Sequence, residues 1–273
     1  MKRLFLLLLI VIPYWLGLHR VPGSPHLSPG SLWPFVYGFL SLALFLPAGW
    51  WLFKLDDDDR RATFSRIGLG SLGGIALVYL IGFAMSNPAL VAKFLGAPAG
   101  LAFGALGFGN VVKDFGALPL WVSIVGYTLG VGLTEEASKA VAARSDVLDG
   151  VWPRAAFGFA AGIGFGVGEA LLYSYRDYAG TADWPAYATR FLFCVGFHGC
   201  MSAIAILSLP EDWWDFDQWP TTALRLLPIA FLHGAYDALL VRQHPVWAGI
   251  VAMVTILALP ILIWCQEDMA GEV

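Results

Sequence analysis

Long apolar runs separated by short polar stretches set the pattern of this chain. A helical bilayer crossing takes about 20 mostly apolar residues. Eight stretches meet that requirement, at about 4–20, 32–53, 67–85, 119–143, 154–174, 187–209, 221–241 and 246–264. They predict an all-α, polytopic transmembrane helix bundle of about eight spans. A further apolar stretch, 86–118, is rich in Gly and Ala and broken by Pro88 and Pro98. It predicts an interfacial or re-entrant excursion rather than a ninth crossing. The first run, "MKRLFLLLLIVIPYWLGLHR", has the basic start of a signal peptide, but no small-x-small cleavage site follows. With Pro13 and Trp15 near its end, it reads as an uncleaved first span.

Composition agrees with this pattern. The 273 residues are 58% hydrophobic and 13% charged, against about 45–50% and 25% in soluble domains; mean hydropathy is +0.70. A net charge of −4 without a basic block excludes nucleic acid as an expected partner and leaves the lipid bilayer. Cys194, Cys200 and Cys265 lack CxxC spacing and read as small membrane-core residues rather than disulfides or a thiolate site. With a cytoplasmic amino terminus, Lys2, Arg3, Lys54, Arg60, Arg61, Arg66, Arg144 and Arg154 lie inside, and Arg20, Lys93, Lys113, Arg176, Arg190 and Arg242 outside. This positive-inside bias fits eight spans of an inner or plasma membrane protein with both termini cytoplasmic. Trp33, Trp50, Trp51, Trp121, Trp152, Trp184, Trp219, Trp247 and Trp264 fall near span ends, where an amphipathic ring prefers the headgroup region. The tract "KLDDDDRR" (54–61) reads as a solvated loop. The expected organisation is one integral membrane domain. Accessory spans and the excursion occupy 1–118, a motif-bearing core 119–242, and the last span with a short tail 243–273. Nothing in the pattern specifies an oligomeric state.

Ionisable residues single out four consecutive spans. A charge at the centre of a membrane helix costs roughly 2.5–3.5 kcal/mol on insertion scales, so such residues usually serve a function. The fourth span carries Glu135, Glu136 and Lys139, the fifth Glu169 and Tyr173, the sixth His198 and Ser202, and the seventh His233 and Asp237. Each has a polar pair at i, i+4 (Glu135/Lys139, Glu169/Tyr173, His198/Ser202, His233/Asp237), which puts both members on one helix face. Four polar stripes can therefore turn toward one cavity. Glycines at 158, 162 and 166, with Gly164 and Gly168 beside them, and at 126 and 130, would let helix backbones approach closely. On a ruler of 1.5 Å per residue the glutamates lie on the order of 10–20 Å in depth from the mid-span histidines. A longer fourth helix, reaching about residue 148, or a tilt would have to close that offset.

Carboxylates with two histidines suit the activation of water. Glu135 or Glu136, tuned by Lys139, is the candidate general base and later general acid. Adjacent helix positions point about 100° apart, so the expected base is Glu136, with Glu135 held by Lys139. His198 and His233 are candidates to orient the water, stabilise an oxyanion or bind a metal. Asp237 is expected to fix the tautomer of His233, as outer carboxylates do. Tyr173 and Ser202 are supporting candidates.

The order EExxK (Glu135, Glu136, Lys139), GxGFxxxE (Gly162, Gly164, Phe165, Glu169), His198 and HxxxD (His233, Asp237) resembles the PrsW-type intramembrane proteases. That family is grouped with the CAAX-processing and bacteriocin-processing membrane proteases. The resemblance covers about residues 130–240. It implies site-specific cleavage of a membrane-anchored protein substrate, an anti-sigma factor or another regulatory membrane protein. It puts Glu135, Glu136, Glu169 and His198 at catalytic positions, with His233 and Asp237 completing the site. Hydrolysis with a divalent metal such as zinc, on candidates Glu169, His198 and His233, and glutamate-type hydrolysis without metal are both compatible with it. The chain has no HExxH, and Ala170 and Leu171 follow Glu169 where the family pattern continues as ExN.

Two other functions use the same residues. A proton-coupled transporter can relay protons through buried Glu, His and Asp, and a non-catalytic scaffold can retain the fold. The polar residues lie in one half of the chain with no echo in the first three spans, unlike the repeats of many transporters. A scaffold reading would suit a chain that had lost the glutamate pair, which is present here.

Overall fold

The computed structural model describes residues 33–53, 57–113, 118–144, 150–176, 187, 189–210, 212–213 and 215–271. The predicted first span, 4–20, lies outside them. Among the described residues all regular structure is helical. Six helices are long and apolar enough to cross a membrane: Pro34–Phe53, Arg60–Ser86, Val151–Ser174, Thr189–Ser208, Trp219–Val241 and Pro245–Asp268. Each overlaps one predicted span.

Helix α1 is Trp33–Phe53. Helix α2 joins Asp57–Gly68, a π-helical turn at Leu69–Gly74, and Ile75–Ser86; it begins inside the tract predicted as a loop. The stretch after it forms two short helices, α3 (Pro88–Leu95) and α4 (Ala97–Val112). They pack on each other across Gly96, whose φ of 92° suits a residue without a Cβ. At 16 residues, α4 spans about 24 Å, less than the roughly 30 Å hydrocarbon layer. Helix α5 runs from 120 to 143 through Leu120–Tyr127, a π-helical turn at Thr128–Gly132, and Leu133–Ala143. Its second half carries the charged motif, so it is not among the six apolar helices. Helices α6 (Val151–Arg176), α7 (Thr189–Ser208, π-helical over Thr189–Cys194), α8 (Trp219–Val241) and α9 (Pro245–Gly271) complete the chain.

The fold divides into two compact units, one drawn from 1–75, 139–207 and 255–273 and the other from 76–138 and 208–254. In the first unit α6 packs against α1, the first half of α2 and α7. Its small residues serve two faces. A Cβ built at Gly158 would lie 2.6 Å from the Ser202 carbonyl oxygen, one at Gly162 2.6 Å from Ser202 Oγ, and one at Gly166 2.9 Å from Val195 Cα, all on α7. Gly164 and Gly168 instead meet Ile67 and Ser71 of α2. Phe45, Phe53, Phe165, Phe191, Phe193 and Phe197 fill the space between. At the end of α7, where carbonyls lack helical partners, Arg154 donates to Ile206 O and Gln266 to Leu207 O, both at 2.9 Å.

In the second unit α5 lies between α4 and α8. Gly126 and Gly130 meet Gly109 and Asn110 of α4, while Gly132 meets Ala230, and Gly234 meets Thr128, across the α5–α8 contact. Residue numbers rise along one helix as they fall along the other, so α5 and α8 are antiparallel.

Outward faces are apolar. Phe39, Leu72 and Leu101 are 71%, 79% and 76% exposed, as side chains facing lipid can be and a soluble surface rarely sustains. Trp51, Trp121, Trp219, Trp247 and Trp264 are exposed near helix ends.

These contacts predict that Gly162→Val lowers thermal stability in detergent by at least about 1–3 kcal/mol, through backbone overpacking. Gly82→Ala, where a new Cβ meets nothing within 4 Å, should stay within about 1 kcal/mol of the parent. Thermal unfolding of the two purified variants checks the difference.

Candidate active site

The first unit brings together Lys139, Glu169 and His198. Glu169 sits one turn beyond the glycine face of α6, and close approach at Gly162 and Gly166 lays the His198 turn of α7 against that helix. Lys139 Nζ lies 3.0 Å from His198 Nδ1 and 4.9 Å from the centre of the Phe165 ring. Its side chain is fully buried. An ammonium group has only donors, so Nδ1 must accept and the ring proton belongs on Nε2. Nε2 then faces Glu169 Oε2, 2.9 Å away. The same carboxylate oxygen takes Arg190 Nη2 at 2.7 Å, and the Arg190 guanidinium lies over the Tyr173 ring at 4.5 Å. Ser202 is buried against α6, and its hydroxyl hydrogen-bonds to no described residue.

The second unit brings together Glu135, Glu136, His233 and Asp237. His233 Nδ1 is 2.8 Å from Glu136 Oε1. On the opposite ring edge, Nε2 lies 3.7 Å from Glu135 Oε2 and 3.6 Å from Asp237 Oδ2. A carboxylate accepts, so Nδ1 carries a proton toward Glu136, while Nε2 faces two carboxylates beyond hydrogen-bonding distance.

Two expectations change. Glu136, not Asp237, is the carboxylate at Nδ1 of His233, because Asp237, one turn along the same helix, reaches only the other edge of the ring. Of the adjacent pair, Glu135 is the one that faces Nε2. The depth offset is also absent between Glu136 and His233. Hydropathy windows mark apolar length, whereas the register of α5 on α8 is set by the contacts of Gly132 and Gly234. Arg190 was missed as a site residue. The available signal was that it is the only Arg, Lys, Asp or Glu within 187–209; hydropathy placed it at a span end.

A family model described as PrsW family intramembrane metalloprotease matches residues 76–265. No curated protein and no solved structure matches the chain. The description implies a metal, and the two clusters differ in their fit to one. In the second unit an imidazole nitrogen and a Glu135 oxygen lie 3.7 Å apart with further carboxylates around them. That is near the roughly 3.3–3.5 Å between two ligands of a tetrahedral zinc, with Glu136 orienting the ring as a supporting carboxylate does. In the first unit both His198 nitrogens are engaged, one by an ammonium, so ligation by His198 requires Lys139 or Glu169 to move.

The two histidines should therefore hold a ring proton on opposite nitrogens, Nε2 in His198 and Nδ1 in His233. Ring-¹⁵N NMR of the histidine-labelled protein checks this. Glu136→Gln should perturb the His233 signals, and Lys139→Met those of His198.

Proposed function

Because the chain belongs to the PrsW family of intramembrane metalloproteases, we propose that it hydrolyses a peptide bond of a membrane-anchored regulatory protein, with Glu135, Glu136, Glu169, His198, His233 and Asp237 serving one reaction. The observation that carries this reading is His233 held between Glu136 on Nδ1 and the Glu135 and Asp237 carboxylates on Nε2. A buried base beside an imidazole nitrogen is what activation of water requires.

In this reading Glu135 takes a proton from the attacking water and later returns it to the leaving amine. His233, oriented by Glu136, offers Nε2 to align that water, with Asp237 on the same edge. His198 and Glu169 keep the catalytic assignment that the family pattern gives them, within the polar group that they form with Lys139. Glu135 and His233 would hold a divalent ion such as zinc, which when bound supplies Lewis acidity and a more acidic water. The proposed setting is a cell membrane, crossed by about eight spans with both termini cytoplasmic. The reacting core occupies spans four to seven within 119–242, flanked by accessory spans in 1–118 and a last span in 243–273.

The test is reconstitution of the purified protein with membrane proteins of its host and mapping of newly formed termini. Glu135→Gln, Glu136→Gln and His198→Ala should each lower cleavage at least about 100-fold while folding persists. Unchanged cleavage by all three would overturn the reading. Metal analysis of the active protein separates the two hydrolytic routes. Glu135→Gln and His233→Ala should each weaken zinc retention by at least about 10–100-fold, whereas full activity without stoichiometric metal would leave glutamate-type hydrolysis.

A further inference from the structure

The hydrolytic reading uses neither Arg190 nor Tyr173, yet both are built into the first cluster. Arg190 lies in the π-helical turn Thr189–Cys194 that opens α7. Tyr173 and Glu169 are one helical turn apart on α6 and so share a face. The tyrosine ring and the carboxylate form two walls of a slot, and the guanidinium occupies it, 4.5 Å from the ring centre and 2.7 Å from Glu169 Oε2. A planar cation can stack on an aromatic face and pair with a carboxylate at its edge at the same time, so both contacts are made by one orientation of one group.

The oxygen that Arg190 pairs with is the oxygen that lies 2.9 Å from His198 Nε2. His198 in turn is held from its other nitrogen by Lys139 at 3.0 Å. A glutamate side chain has three rotatable torsions, and a neutral imidazole alone is a weak anchor for its charge. The guanidinium supplies a full counter-charge at a defined point, and the Tyr173 ring restricts where the guanidinium can go. Arg190 is 17% exposed and Glu169 12%, so water screens this pair far less than a surface pair.

We propose that Arg190 is a positioning residue that locks Glu169 onto His198 Nε2, and that Tyr173 is the support that aims it. The inference rests on the hydrolytic reading only for its effect on rate; its effect on His198 is independent of any substrate. It gives Tyr173, a supporting candidate by sequence, a contact with a cation.

The experiment uses the full chain in lipid nanodiscs with ring-¹⁵N histidine, the His198 signal being identified by its loss in His198→Gln. Arg190→Met and Tyr173→Leu should each shift and broaden the His198 Nε2–H resonance, while Tyr173→Phe, which keeps the ring, leaves it in place. With a substrate found by terminus mapping, Arg190→Met should lower kcat by about 10–100-fold with KM within about twofold. Arg190→Lys, or guanidinium ion added to Arg190→Gly, should restore part of that loss. An unchanged His198 resonance in Arg190→Met overturns the proposal, as does a rise in KM at constant kcat, which would make Arg190 a substrate contact. Should Arg190→Met not fold, Tyr173→Leu against Tyr173→Phe decides by the same resonance. A shifted resonance in a protein that cleaves nothing would sustain the positioning role and sink the hydrolytic reading instead.

Discussion

Backbone lies directly on backbone at the glycines, and the rest of the site depends on that contact. Within a bilayer lipid tails are as apolar as leucine, so helices associate through close packing and polar bonds rather than through exclusion from water. In the first unit Gly158, Gly162 and Gly166 present no Cβ where the α6 backbone meets α7. His198 is carried there by a backbone contact, and Glu169 lies one turn later. In the second unit Gly132 and Gly234 do the same for α5 and α8, and Glu136 meets His233 just beyond the crossing. A side chain at any of these positions would separate the polar partners by more than a hydrogen bond can span.

The two clusters have opposite electrostatic character. In the first, an imidazole and a carboxylate stand between an ammonium and a guanidinium. In the second, an imidazole stands among three carboxylates. In the first, the ammonium on Nδ1 leaves the ring proton of His198 to Nε2, and in the second the Glu136 carboxylate holds a ring proton of His233 on Nδ1. In the first cluster the buried carboxylate has a guanidinium beside it, which offsets part of the cost of burying its charge. A histidine beside an ammonium and one among carboxylates have different chemical uses. That division is the physical basis for giving His233 and His198 different roles in hydrolysis.

Adjacent glutamates divide in the same way. Glu136, wholly buried, is the carboxylate at Nδ1 of the imidazole. Glu135 is the neighbour on the ring's open edge. Arg190 extends the logic outward. A cation held by an aromatic ring holds a carboxylate, and the carboxylate holds a histidine, so the geometry of the reacting groups is fixed by residues that need not touch a substrate. The π-helical turns at Thr128–Gly132 and Thr189–Cys194 lie just before Glu135 and His198. An extra residue in a helical turn rotates the rest of the helix about its axis, a device often found next to functional sites.

The sequence alone determined the class of molecule and which ionisable residues stand out within its apolar spans. Apolar length over about 20 residues is a local property, so the six apolar helices could be read directly. Buried charge is costly enough that Glu135, Glu136, Lys139, Glu169, His198, His233 and Asp237 stood out against their spans. Period-four spacing showed which of them share a helix face. Tertiary structure alone decided which atoms meet. It gave Nδ1 of His233 to Glu136 rather than Asp237, brought Lys139 onto His198, and drew Arg190 from a predicted span end into the site. Spacing along one helix sets a face, but the partner atom across a contact depends on the rotation and register of two helices. Those were set here by where glycines let the backbones touch.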